Sequence, residues 1–247
     1  MTGSAPLSLA SIDIAILAGG LGTRIRGVLG DTPKVMAPIA LHGATRPFLD
    51  ILLDWLAGQG ARRVLLCLGH LAERVREHVA RHPHAGLTID CVVEPRPLGT
   101  AGAIRFARGR LTSDPAMVVN GDTFVDADLG HMLTAHQSSG AIATMLCVRV
   151  PDAGRYGRVE IGPDHTVSRF IEKDPAAGEG TINAGIYLLG RPLLDRIAGG
   201  TASSIERDIL EALPTGTIRT VVTEGRFIDI GTPESLGEAP TVLAGSR

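Results

Sequence analysis

The stretch Ile12-Asp13-Ile14-Ala15-Ile16-Leu17-Ala18-Gly19-Gly20-Leu21-Gly22-Thr23-Arg24 decides the fold. Residues 12–18 are an almost unbroken apolar run, the pattern of a strand covered on both faces. The run then breaks into glycines, so a tight turn follows the strand directly. Outward from there the alternation repeats. Phe48, Leu49, Leu52, Leu53, Trp55 and Leu56 give residues 47–58 the wide apolar stripe of a helix. Apolar runs at 61–69, 87–94 and 116–122 read as strands, and 71–81, 101–108 and 128–137 read as helices. Strand and helix in turn predict a parallel sheet with helices on both faces. Beyond residue 140 the pattern changes. Residues 141–150, 157–161, 166–172, 182–189, 217–222 and 226–230 read as strands. Only two helices stand out there, Pro192–Ile197 and one entered near Ser203, where Ser203 and Glu206 form an S-x-x-E capping box. The expectation is a loose polar tail at 1–11, then one α/β domain over 12–247 whose sheet is parallel first and mixed later.

The 247 residues are 44% hydrophobic and 20% charged, a globular composition and not a disordered one. With 24 basic and 26 acidic side chains the chain is not a general nucleic-acid binder, and 3% aromatic content leaves little for base stacking. Cys67, Cys91 and Cys147 form no C-x-x-C and sit in apolar runs, as buried thiols do. No apolar run reaches the ~18 residues of a membrane span. No basic segment precedes Ile12, so no signal peptide is expected and the chain reads as cytoplasmic.

The glycines after the first strand let successive backbone N–H groups turn towards an anion. Thr23, Arg24 and a later Pro33-Lys34 add a hydroxyl and two cations. Together they read as a phosphate cradle better than as a plain turn with solvated charges. Two common phosphate loops are excluded: no Gly-Lys dipeptide occurs, and Ile25 stands where the third glycine of G-x-G-x-x-G belongs. Asp122, in Val118-Val119-Asn120-Gly121-Asp122, follows a buried strand at the edge where such sheets bind ligands. Asp229, in Phe227-Ile228-Asp229-Ile230-Gly231, lies among apolar residues. Mg²⁺ prefers one or two carboxylates plus phosphate and water, so a metal role suits both, although a turn aspartate and a backbone-bonded aspartate remain open readings. Asp126-Ala127-Asp128 matches the D-x-D of glycosyltransferases but reads better as a helix N-cap. His78, His82 and His84 read as a solvated helix end.

Seven segments occur in order: AILAGGLGTRIR with PK, EPRPLGTAGA, VNGDTF, YGRVE, FIEKD, NAGIY and FIDIGTPE. Taken together they resemble the sugar-1-phosphate nucleotidyltransferases, most of all those that guanylylate mannose 1-phosphate or D-glycero-α-D-manno-heptose 1-phosphate for surface polysaccharides. The resemblance covers about residues 12–236. It implies a Rossmann-like, GT-A-like three-layer sandwich with a mixed central sheet, and no left-handed β-helix domain after the last motif. It also implies roles. Leu17 would bind the nucleotide, and Gly19, Gly20, Gly22 and Thr23 would hold its phosphates through backbone and hydroxyl. Arg24 and Lys34 would neutralise the triphosphate and pyrophosphate. Glu94, Leu98, Gly99 and Thr100 would lie along the base, with Gly99 permitting close approach, and Asn120 and Gly121 near the ribose or sugar. Asp122 and Asp229 would hold Mg²⁺. Tyr156, Gly157, Glu172 and Asn183 would line the sugar pocket, with Lys173 on the sugar phosphate. The implied partners are GTP and a sugar 1-phosphate, without nucleic acid or membrane, and a homodimer is compatible with the resemblance. A glycosyltransferase that consumes a nucleotide sugar, or a non-catalytic nucleotide-sugar sensor, are the rival readings. The charge-neutralising reading requires Arg24, Lys34, Asp122, Lys173 and Asp229 around one cavity.

Overall fold

The computed structural model describes residues 7–174, 176 and 178–245. The first half runs β1 (Asp13–Ala18), α1 (Arg26–Leu29), β2 (Pro38–Leu41), β3 (Ala44–Pro47), α2 (Phe48–Gly58), β4 (Arg63–Leu68), α3 (Ala72–Arg81), β5 (Thr88–Val93), α4 (Gly99–Ala107), β6 (Ala116–Asn120), β7 (Thr123–Val125) and α5 (Leu129–Ser139). The second half runs β8 (Ala143–Val150), β9 (Arg158–Ile161), β10 (Val167–Ile171), β11 (Gly180–Leu189), α6 (Arg191–Gly199), β12 (Ile218–Thr223), β13 (Phe227–Asp229) and α7 (Pro233–Leu243).

The parallel expectation holds for β6-β1-β4-β5, all four parallel neighbours. The sheet turns mixed at β11, which is antiparallel to β6, β8 and β9, while β12 runs parallel to β8. Successive strand residues face opposite sides. Ile14 and Ile16 of β1 accordingly join a core with α2, α3 and α5, while Ala15 joins another with α4, α6 and residues 205–210. These are the three layers. Buried Cys67 and Cys147 lie in the sheet, where burial pushes both thiols up to about 12.

Several expectations are corrected. Leu9–Ser11 form a 3-10 turn with Leu9 buried, and the Leu7 N–H donates to Gln137 Oε1 at 3.2 Å. The last part of the tail is therefore packed, because its two leucines have core to cover; residues 1–6 lie outside the described residues. Residues 205–210 form a π-helix capped by Ser204, not a helix boxed by Ser203 and Glu206. Asp208 Oδ2 accepts both the Ser203 and Ser204 N–H groups, at 2.8 Å each, which leaves the Glu206 carboxylate for other donors. Two of the three histidines are paired and not solvated: His78 Nε2 meets Asp50 Oδ1 at 2.7 Å, and His84 Nδ1 meets Asp54 Oδ1 at 2.8 Å, tying α3 and its exit to α2, while His82 is exposed as expected. Asp128 caps α5, accepting from the His131 N–H at 2.9 Å.

Several features escaped the sequence reading, which had the strand at 226–230 but not β7 or their pairing. The β2–β3 hairpin turns on His42 and Gly43, both at positive φ, which suits a two-residue turn. The β7–β13 pair forms a separate two-stranded ribbon. Helix α7 closes over the ribbon, and Phe124, Ile228, Ile230, Ala239 and Leu243 make a third core between them. Fully burying a side chain such as Phe124 contributes roughly 1.5–3 kcal/mol. Thr232 followed by Pro233 is the local signal for α7: the threonine caps Ser235 N–H at 3.2 Å, and proline is tolerated at the first helical position.

Candidate active site

Strands β1 and β6 are neighbours, so their C-terminal ends deliver Leu17 and Gly121 side by side. The Gly121 N–H donates to the Leu17 carbonyl at 2.9 Å, and a Cβ on Gly121 would stand 2.7 Å from that oxygen. Only glycine lets the chain leave β6 this close to β1, and the next residue is Asp122. The ribbon then brings in the second carboxylate. Thr123 lies opposite Asp229, and the Ile230 N–H donates to the Asp122 carbonyl at 2.9 Å. Two residues remote in sequence thus become neighbours through a strand ladder.

Lys34 opens a 3-10 turn after Pro33 and sends its ammonium between the two acids. Nζ donates to Asp122 Oδ2 and lies 4.0 Å from Asp229 Oδ1. Gly231 makes room for this convergence. A Cβ there would come within 2.7 Å of Asp229 Oδ1, 3.1 Å of Arg24 Nη2 and 3.2 Å of Lys34 Nζ. Burial, then the charge of Asp122, raises the Asp229 carboxyl above its ordinary range, while Lys34, the Gly231 N–H and Arg24 hold it down. Two carboxylates forced together against one ammonium are a hard-oxygen pair of the kind a divalent cation completes with phosphate and water. Among the described residues no third His, Cys, Asp or Glu joins them as a metal cluster. The pair therefore fits a metal that arrives with a ligand and not one caged by protein alone.

Leu17, Gly20, Gly22, Thr23, Arg24, Lys34, Asp122 and Gly231 all line one cavity of 180 Å³. Gly22 sits at φ 58°, the left-handed region that keeps this loop tight. Gly19 faces Glu94: a Cβ there would approach Glu94 Oε1 to 2.7 Å. Burial raises the Glu94 carboxyl, and the Leu98 N–H, 3.3 Å from Oε2, opposes the shift.

The sugar-side residues share a second cavity. Tyr156, Gly157, Glu172, Lys173 and Asn183 line 540 Å³ between β9, β10, β11 and the π-helix. The five charged groups are therefore not around one cavity, and the one-cavity form of the sequence reading gives way to a two-cavity form. Arg24, Lys34, Asp122 and Asp229 gather at the first centre, and Lys173 lies in the second. The ribbon connects them. The Tyr156 ring packs edge-on against Phe227 at 5.5 Å, and Phe227 shares β13 with Asp229, whose charge contributes after burial to raising the Tyr156 phenol. The split arises because Lys173 follows the antiparallel strand β10, whereas the other four groups sit on β1, β6, β13 and the loops leaving them.

Asn183 lines the larger cavity, and Asn120, at the end of β6, lies against Gly185 of β11. β11 carries a bulge between Asn183 and Ile186, with Gly185 at φ 73°. Bulges re-aim side chains next to functional sites. A Cβ on Gly185 would lie 2.8 Å from Asn120 Nδ2, so glycine is needed where the strands pass. Asn120 Oδ1 is buried without a hydrogen-bond partner among the described residues.

Near the motif expected along the base, the close contacts are with protein. Gly99, at φ 76°, admits the Ser203 carbonyl, which a Cβ would meet at 2.4 Å; the close approach it permits is that of protein backbone. The Thr100 hydroxyl is engaged inward, donating to Glu206 Oε2 at 3.1 Å and accepting the Ile205 N–H at 2.8 Å. Sequence reasoning missed Glu206, taken for a helix box, and Gly231, whose only signal was its place after Asp229.

No helix among the described residues is long and apolar enough to cross a membrane. The nucleotidyl transferase family profile matches residues 14–244. The chain is 36% identical over 226 residues to a mannose-1-phosphate guanylyltransferase of Mycobacterium tuberculosis, covering 90% of this chain but 62% of that protein's length. It is 35% identical to the D-glycero-alpha-D-manno-heptose 1-phosphate guanylyltransferase of Campylobacter jejuni, covering 89% of this chain and 94% of the relative. Among solved structures, HddC from Yersinia pseudotuberculosis complexed with GMP-PN superposes with a TM-score of 0.82 at 34% identity, covering 93% of this chain and 98% of that one. Profile, relatives and fold agree over nearly the whole chain, and it belongs to the nucleotidyl transferase family.

Proposed function

We propose that the protein transfers a guanylyl group from GTP to a manno-configured sugar 1-phosphate, D-glycero-α-D-manno-heptose 1-phosphate or mannose 1-phosphate, with Mg²⁺ as the cation. The observation that carries this reading is the convergence of Lys34, Arg24, Asp122 and Asp229 beside the 180 Å³ cavity, with the 540 Å³ cavity adjoining through Tyr156 and Phe227. The guanine and manno preferences rest on the names of the relatives and on the guanine nucleotide in the HddC complex.

In the reaction a phosphate oxygen of the sugar 1-phosphate attacks the α-phosphorus of GTP. One P–O bond forms and the bond to the β-phosphate oxygen breaks, leaving pyrophosphate. A phosphate monoester is already an anionic nucleophile at pH 7, so no general base is needed. The chain's task is to align two polyanions and offset their repulsion. Arg24 and Lys34 supply positive charge on the triphosphate side. Lys173 meets the sugar phosphate, and Tyr156, Glu172 and Asn183 offer hydrogen bonds to sugar hydroxyls. Asp122 and Asp229 would hold the cation, which when bound screens phosphate charge. Lys34, already between the two acids, stands where it can turn from carboxylate to phosphate.

Each of the four NTPs paired with mannose, glucose and heptose 1-phosphates, scored by pyrophosphate release, tests the reading. Release is expected with GTP and the manno-configured substrates. No release from any pair would sink it, and turnover of a nucleotide sugar onto an acceptor would replace it with a glycosyltransferase.

A further inference from the structure

A chain of part-buried hydrogen bonds runs from Asn183, which lines the larger cavity, through Glu206 to Thr100 at the start of α4. Asn183 Nδ2 donates to Tyr187 Oη at 2.6 Å. The Tyr187 hydroxyl donates to Glu206 Oε1 at 3.2 Å. From the other side, Thr100 Oγ1 donates to Glu206 Oε2 at 3.1 Å, and Ser204 Oγ donates to the same oxygen at 2.9 Å. The proton directions follow from the groups themselves. An amide NH₂ can only donate, so the single Tyr187 proton must go on to Glu206. The Ile205 N–H occupies Thr100 as an acceptor, so the single Thr100 proton also goes to Glu206. Both arms arrive as donors, and one carboxylate receives them. Tyr187 is almost fully buried, and burial followed by the Glu206 charge raises its phenol well above the ordinary value, so it stays a donor.

The backbone reinforces the link. The Ala101 N–H donates to the Ser203 carbonyl at 2.9 Å, and Arg105 Nη1 donates to the Ala202 carbonyl at 2.9 Å. Gly99 allows this contact, so the start of α4 and residues 202–206 are held as a unit. At the far end Asn183 sits at the β11 bulge, with its Oδ1 accepting the Gly185 N–H at 2.9 Å. Glu206 itself lines the larger cavity.

We propose, resting on the function above, that Glu206 is a positioning residue that couples the nucleotide-side segment at Thr100 to the sugar-side amide of Asn183. It fixes the Asn183 amide for a sugar hydroxyl and makes that orientation depend on the nucleotide segment. Glu206→Gln is the discriminating change. A glutamine has one acceptor oxygen and one donor nitrogen, so it cannot accept from both arms, and one must break.

The test uses mannose 1-phosphate and a non-hydrolysable GTP analogue. Calorimetry on the wild type should show tighter sugar-phosphate binding when the analogue is present. In Glu206→Gln and in Tyr187→Phe that enhancement should vanish. In turnover the KM for the sugar phosphate should rise about tenfold, the size of one lost buried hydrogen bond, with kcat within about twofold. The double variant should be no worse than the worse single one, because both cut the same chain. Tyr187→Phe removes only a hydroxyl and keeps the test alive if Glu206→Gln folds poorly. An unchanged sugar KM and an intact enhancement in either folded variant would overturn the coupling, as would additive effects. A wild type that releases no pyrophosphate from any substrate pair would instead overturn the function reading alone.

Discussion

The two cavities, proposed as the phosphate side and the sugar side, are built differently. The phosphate side uses the parallel strands β1 and β6, glycines whose missing Cβ atoms admit neighbours, and charges that already oppose one another: Lys34 against Asp122 and Asp229. The sugar side uses antiparallel strands, a bulge, a π-helix and a cavity three times as large, 540 against 180 Å³. Two of its polar groups, Asn183 and Glu206, are joined by hydrogen bonds through buried Tyr187. One side fixes charges through backbone geometry, and the other fixes hydroxyls and amides through relayed hydrogen bonds. Loss of a group should therefore hurt the chemical step on the first side and substrate affinity on the second.

The largest expected effect is on the phosphate side. Arg24→Ala and Asp122→Ala should each lower kcat at least ~100-fold, the usual cost of one preorganised charge-stabilising group. Steady-state pyrophosphate release measures this, and near wild-type turnover in either would erase the contrast. Next comes Gly231→Ala, a change that removes no charged group. Its Cβ would press on Asp229 Oδ1, Arg24 Nη2 and Lys34 Nζ, so a fall of about 10- to 100-fold is expected from misplacement. Normal kcat in this variant would show that the charges tolerate displacement. Lys173→Ala should raise the KM for the sugar phosphate about tenfold, a loss of roughly 1.4 kcal/mol, and leave the KM for GTP unchanged. A raised GTP KM would mean that Lys173 serves both cavities.

The smallest effect concerns stability in the second half. His136 on α5 is buried, with Nδ1 2.8 Å from Thr144 Oγ1 on β8. Burial lowers its pKa, with the Asp114 charge opposing. The unfolded chain therefore binds this proton more readily than the folded one. The contribution to stability is full above about pH 6.5 and declines as pH falls through that value towards the lowered folded pKa. Urea unfolding at pH 7.5 and 5.5 should show the decline in the wild type and a flatter dependence in His136→Leu. Equal slopes would assign the acid sensitivity elsewhere.

The same contrast explains what could be read in the sequence. The phosphate side is local: Gly19, Gly20, Gly22, Thr23 and Arg24 are contiguous, and Asp122 ends an apolar run, so pattern and chemistry coincide. Strands β1, β4 and β6 and helix α2 were legible for the same reason. Glu206 was not, because its partners Thr100 and Tyr187 lie in other motifs and its nearest local pattern was a capping box. Nor was the division into two cavities legible, because it depends on how β10 and β13 lie relative to each other in space. The β2–β3 hairpin escaped because His42 adopts positive φ beside Gly43, which non-glycine residues seldom signal.

The β7–β13 ribbon acts as a gauge block for the two acids. Side chains alternate along a strand, so slipping the pair by one position would turn Asp229 to the opposite surface. A single residue inserted between Arg226 and Asp229 would then silence the enzyme while deleting none of its functional groups. Spacing within this short segment is as much a part of the catalyst as the residues it carries.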